Sequence, residues 1–134
     1  LYPCNGVDIT NVPSASYDIL MSTITFQHIC VHEIRLNYLK DFYRVIVPGG
    51  TLTMQMGFGR SSYGVDYYAN NYSALTTNGG CDTRIDTVEQ IKTDLERVGF
   101  INFRHIIRPV GPGDSHPNWI FFQADVPVIH EEQD

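Results

Sequence analysis

Val88, Ile91, Leu95 and Val98 recur at intervals of three and four residues, which is the spacing of one face of a helix. Asp86 is placed to cap its start, with Glu89 at capping-box distance. Arg97 falls in the last turn and Gly99 follows as a stop. The pattern predicts a helix over about 87–98. An earlier stripe of Ile34, Leu39, Phe42 and Ile46, with Glu33, Arg35, Lys40 and Asp41 largely off it, predicts a second helix over about 31–46. Pro48-Gly49-Gly50 would end that helix in a turn, because proline cannot continue it and glycine accepts the reversal. The short β-prone runs 17–22, 51–56, 103–107 and 118–123 predict strands. The order is thus strand, helix, strand, helix, strand, strand. Alternation of this kind implies crossover connections and a parallel sheet. The last connection, 109–117, is too short for a helix, so the final strand is expected to run antiparallel to its predecessor.

Residues 57–85 break the rhythm. They are rich in Gly, Ser, Tyr, Asn and Thr, and a loop of that length in a compact domain is usually functional or disordered. Composition then narrows the classes. At 134 residues the chain is expected to be a single domain, and 43% hydrophobic residues are enough for one core. Nine Lys+Arg against 15 Asp+Glu leave a net charge of −6, which argues against a partner bound through phosphate neutralisation. No apolar run is long enough to span a bilayer, so no membrane partner is expected. Cys4, Cys30 and Cys81 are odd in number and widely spaced, unlike a secreted disulfide scaffold, and no leader segment is visible. Both features read as a cytoplasmic protein.

The run Tyr17-Asp18-Ile19-Leu20-Met21-Ser22, then Gln27-His28-Ile29, then Phe42-Tyr43-Arg44-Val45-Ile46-Val47-Pro48-Gly49-Gly50 resembles the second half of a Rossmann-like S-adenosylmethionine-dependent methyltransferase. In that family an aromatic-Asp pair opens the fourth strand, a His closes the loop after it, and an Arg-Val-Leu-Lys-Pro-Gly-Gly run leads to the fifth. Ile46 and Val47 replace the usual Leu and Lys. The helix ending at Gly99-Phe100 and the strand at Trp119 match the family's C-terminal layout. The family's glycine-rich cofactor loop and its ribose-binding acid have no counterpart. Gly57-Phe58-Gly59 lacks the third glycine of such a fingerprint. The resemblance therefore implies an α/β fold with a partial methyltransferase sheet, parallel strands and an antiparallel last strand. It also implies a C-terminal portion of such an enzyme, acting on a small-molecule acceptor. The incomplete sheet edge implies a second copy or a completing chain, and an inactive interaction module is the competing reading.

The resemblance also assigns residues. Asn5-Gly6-Val7-Asp8-Ile9 looks like the segment after the third strand, so Asp8 and Ile9 are expected to contact the adenine of S-adenosylmethionine. The plain alternative is a loop acid before a turn. Ser22, Thr23 and Ile24 end a strand where parallel sheets bind ligands. His28 reads as a base or substrate contact, against a His bonded to backbone where a helix starts. Gln55, Tyr63 and Tyr67 read as substrate-lining residues, the tyrosines as parts of a lid or merely as packing in a long loop. His28 and His32 are four apart, but no third ligand is apparent, and no metal site is assigned. Arg44 reads as a cap on the helix dipole.

Overall fold

A computed structural model describes residues 1–59, 65–70, 82–113 and 116–128. The strands and helices are β1 (Tyr17–Thr23), α1 (His32–Val45), β2 (Ile46–Phe58), β3 (Val65–Asp66), β4 (Thr83–Arg84), α2 (Val88–Val98), β5 (Ile101–Pro109) and β6 (Asn118–Asp125). A single 3₁₀ turn, Phe26–His28, precedes α1. The main sheet has the order β1-β2-β6-β5. β1 and β2 are parallel, and β6 runs antiparallel to both of its neighbours. β5 therefore points the same way as β1 and β2, and the last strand is antiparallel as expected. β3 and β4 pair in parallel as a separate small ribbon within the stretch that broke the sequence pattern.

Strand alternation sets the two faces of the sheet. Leu52, Met54 and Met56 of β2 and Ile120, Phe122 and Ala124 of β6 point inward and are almost fully buried. Tyr38 and Leu39 of α1 and Ile91 and Leu95 of α2 join them in one core. The opposite face carries no helix among the described residues. Ile19, Met21, Ile106 and Phe121 stand on it with 65%, 69%, 57% and 41% of their surface exposed.

Local chemistry corrects three expectations. Pro48-Gly49-Gly50 is not a turn ahead of a strand, because β2 begins at Ile46 directly after α1. Tyr17 pairs with Ile46 and Ile19 with Thr51, so the three residues are bulged out within β2. Gly49 takes φ +85°, and a Cβ on Gly50 would lie 2.6 Å from the Asp18 carbonyl. The cap of α2 is Thr87 rather than Asp86. Thr87 and Gln90 form the capping box, while the Asp86 carboxylate is turned 2.9 Å onto Arg84. Arg35 is not off the apolar stripe of α1. It lies on the face of Tyr38 and Leu39 and is 1% exposed.

Cys30 is fully buried and disulfide-bonded, which withdraws the cysteine argument for a reducing compartment. No described helix is long and apolar enough to cross a membrane.

Arg104 and Asp125 tie β5 to β6 at 2.9 Å, and Thr51 and Asn102 also donate to Asp125. The Arg104 hydrogen bond, ahead of those from Thr51 and Asn102, holds the Asp125 carboxyl below its ordinary value. A lowered folded-state value stabilises the fold above the unfolded carboxyl's value, near pH 4, and that contribution disappears as pH falls through the folded value. Thermal melts across acid pH should therefore show a small loss that Asp125→Asn abolishes. Because Arg104 is 46% exposed, the loss should stay under about 1 kcal/mol. Equal acid slopes in both proteins would refute the assignment.

Candidate functional site

The carboxyl ends of β1 and β2 lie side by side, with Ser22 opposite Met54 and Thr23 opposite Gln55. The chain leaves β1 through Ile24, which has φ +54°. A β-branched residue in the left-handed region is strained, and here a side chain holds it in place. Gln55 Oε1 accepts the Ile24 N–H at 2.8 Å. Gln27 makes the matching bond across the tips, its Oε1 accepting the Gly57 N–H at 2.7 Å. Gln55 is 2% exposed, and its Nε2 has no partner among the described residues. An unsatisfied buried donor costs about 1–3 kcal/mol, so this amide is disposed to take an acceptor. Thr23, Gln55, Met21, Ile106, Phe121 and Arg104 line a groove of ≈ 640 Å³ on the open sheet face below the tips. That is within the range of small-molecule sites.

His28 stands at the end of the 3₁₀ turn beside these tips. Its Nδ1 lies 2.7 Å from Asp82 Oδ1, and the second Asp82 oxygen lies 3.2 Å from His116 Nε2. The His28 side chain is 49% exposed, Asp82 14% and His116 0%, so the row runs from solvent inward. His116 rests on Gly57, where a Cβ would come within 2.3 Å of the imidazole ring.

A clamp beneath sets the spacing of this row. Arg35 Nη1 donates to the Ile29 carbonyl at 2.6 Å and to Thr83 Oγ1 at 2.7 Å. It thereby joins the neighbours of His28 and Asp82. Arg35 Nη2 donates to the Tyr67 carbonyl, and the guanidinium lies 4.8 Å from the centre of the Tyr67 ring. Burial lowers the pKa of the guanidinium, and the nearby Asp94 carboxylate opposes this. Asp94 Oδ2 accepts the Tyr67 hydroxyl and lies 2.8 Å from His32 Nε2. Burial first, then the Asp94 charge, drives the Tyr67 phenol far above its ordinary value, so the phenol stays protonated.

The structure brings Ser22, Thr23, Ile24, His28 and Gln55 together at one end of the sheet. It does not bring Asp8 and Ile9 there. The Ile9 N–H donates to Asp41 Oδ2, and Arg44 donates to the carbonyls of Ile9 and Val12. Both residues therefore lie against the C-terminal half of α1, toward the strand beginnings. The Asp8 carboxylate is taken up by Asn5 and Thr10 in its own turn. Arg44 anchors this segment more than it caps the helix. Tyr67 is 1% exposed with its hydroxyl on Asp94, a packing residue and not part of a lid. Tyr63 lies outside the described residues. His32 faces Asp94, separately from His28. Asp82 and His116 went unread in the sequence, and Arg35 reads there as a surface residue of its helix. A buried arginine at Arg35, or an acid at Asp94 between Ile91 and Leu95, is the polar-on-apolar signal that could have found the clamp.

This parallel-plus-antiparallel sheet with its two helices is the fold of S-adenosylmethionine-dependent methyltransferases, as the solved structures it resembles make plain. A methyltransferase from Methanosarcina mazei, described as S-adenosylmethionine-dependent, superposes with TM-score 0.63 at 15% identity, covering 92% of this chain and 65% of that one. A possible exported protein from Bordetella parapertussis gives 0.60 at 17%, covering 89% and 42%. Phosphoethanolamine N-methyltransferase 2 of Haemonchus contortus, in complex with phosphomonomethylethanolamine and S-adenosylhomocysteine, gives 0.60 at 17%, covering 92% and 36%. The chain thus spans less than two thirds of each of these proteins. No family model matches the sequence, and no curated protein matches it either.

Proposed function

We propose that this chain is the C-terminal portion of an S-adenosylmethionine-dependent methyltransferase acting on a small-molecule acceptor, with His28 as the general base. The observation that carries the reading is the half-exposed imidazole of His28, 2.7 Å from a carboxylate, at the carboxyl ends of two parallel strands. Ligands of open α/β sheets bind at such ends. The residues fit one flank of the methyl donor. Ser22, Thr23 and Ile24 end at an open strand edge, and the Gln55 amide is a buried donor without a described partner. The glycine-rich flank is not in this sequence. When bound, S-adenosylmethionine supplies an electrophilic methyl group. The chain's own contribution is to orient the acceptor in the groove through Gln55 and to receive its proton at His28.

Calorimetry with S-adenosylhomocysteine on the full-length gene product tests this reading. Saturable binding at micromolar ligand is the expected result. No heat and no shift in melting temperature would overturn it.

A second reading has its own observation. The apolar open face and the edge of β1, unpaired among the described residues, are features of an interaction surface, for a second copy or a completing chain. On that reading the chain is a methyltransferase-like half-domain without activity. Sedimentation would show a dimer or complex, and a clean monomer would count against it.

A further inference from the structure

We propose that Asp82, backed by His116, is a positioning residue that fixes His28 as the Nδ1–H tautomer, leaving Nε2 as the proton acceptor, and that the site therefore serves an acceptor arriving with a proton on its nucleophilic atom, a hydroxyl or an amine. The proposal rests on the reading of the strand tips as a methyl-transfer site.

A carboxylate repels a bare ring nitrogen at close range and attracts one that carries hydrogen. His28 Nδ1 is that nitrogen, 2.7 Å from Asp82 Oδ1. In the neutral ring the hydrogen then sits on Nδ1, and Nε2 keeps its lone pair. The proton transfer balances simply. The X–H bond of the acceptor breaks, its electron pair stays on X as the nucleophile, and the proton forms an Nε2–H bond. The resulting imidazolium faces the Asp82 charge.

Three features separate this arrangement from an ordinary surface pair. First, Asp82 is largely buried, and the contact is shielded from solvent on the side away from His28. Second, the far oxygen of Asp82 faces a wholly buried histidine, His116, which limits rotation of the carboxylate. Gly57 makes room for it, since any side chain there would meet the ring. Third, Arg35 ties Ile29 to Thr83, the residues next to His28 and Asp82. The Thr83 hydroxyl also donates to the Ile29 carbonyl at 3.2 Å. The distance between base and carboxylate is thus set by a buried brace rather than by two mobile side chains. A base held by a third group in this way is the general pattern of an activated site.

The test uses the full-length gene product labelled with nitrogen-15 histidine, with His28→Asn to assign the resonances. Nitrogen shifts of neutral His28 should show Nδ1 protonated and Nε2 bare. Asp82→Asn should mix the two tautomers, and Asp82→Glu should restore the original one. A wild-type ring protonated at Nε2, or a tautomer unmoved in Asp82→Asn, would overturn the proposal. The wild-type spectrum decides by itself should the variant fail to fold. A second arm follows tritium from labelled S-adenosylmethionine into a panel of small phenols, alcohols and amines. Asp82→Asn should lower kcat by between about tenfold and 10⁴-fold with little change in KM; the upper figure is the loss when a serine-protease triad loses its orienting carboxylate. An unchanged kcat would also overturn it. The correct tautomer without transfer to any acceptor would instead sink the methyl-transfer reading, so the two failures are distinguishable.

Discussion

Arg35→Met should lower folding stability by about 3–5 kcal/mol, the usual cost of removing one member of a buried charged network. The side chain is 1% exposed and joins three segments through the Ile29 carbonyl, the Thr83 hydroxyl and the Tyr67 carbonyl. Methionine fills most of the volume but donates nothing, so these acceptors lose a donor inside the protein. Asp94 also loses its attraction to the buried guanidinium. Urea unfolding of wild type and variant measures the difference. A loss below about 1 kcal/mol would mean that the three segments are held by packing alone. Because those segments flank His28 and Asp82, the same substitution should loosen the candidate site even where the fold survives.

His28→Ala should reduce kcat for methyl transfer by about 10²–10⁴-fold, the usual contribution of a general base, while leaving KM nearly unchanged. The ring is half exposed and braces no core residue, so stability should move little. The assay is transfer of labelled methyl groups to the acceptor panel, with melting temperature measured alongside. Unaltered turnover in a folded variant would remove His28 from the chemistry. A collapse of stability with no separate change in turnover would make it a structural residue.

Local pattern carried the elements well and the contacts between distant segments poorly. Val88, Ile91, Leu95 and Val98 announce α2 because helix periodicity is a property of neighbours. The runs 17–22 and 51–56 announce β1 and β2 for the same reason. The bulge at Pro48-Gly49-Gly50 was hidden because the same residues end a helix equally well, and only the pairing with β1 makes them part of a strand. The strand tips and His28 were legible once the order of elements implied a parallel sheet. Asp82 and His116 were not, since each lies in a segment without periodicity and meets His28 only through the folded chain. The placement of Asp8 and Ile9 was hidden for the complementary reason. Arg44 and Asp41 capture their backbone at the other end of α1, and nothing in the local run foretells that hold.

The position of β6 has a consequence for how the chain matures. The strand that reaches the ribosome's exit last among those described is a central one, with β2 on one side and β5 on the other. Thr51 and Asp125, partners across that seam, are separated by 74 residues of synthesis. A nascent chain halted before Asn118 would hold, of the main sheet, only the β1-β2 pair, with β5 lacking its neighbour. Closure of the main sheet therefore waits on β6, and a chain cut before that strand would leave β5 without its sheet partner.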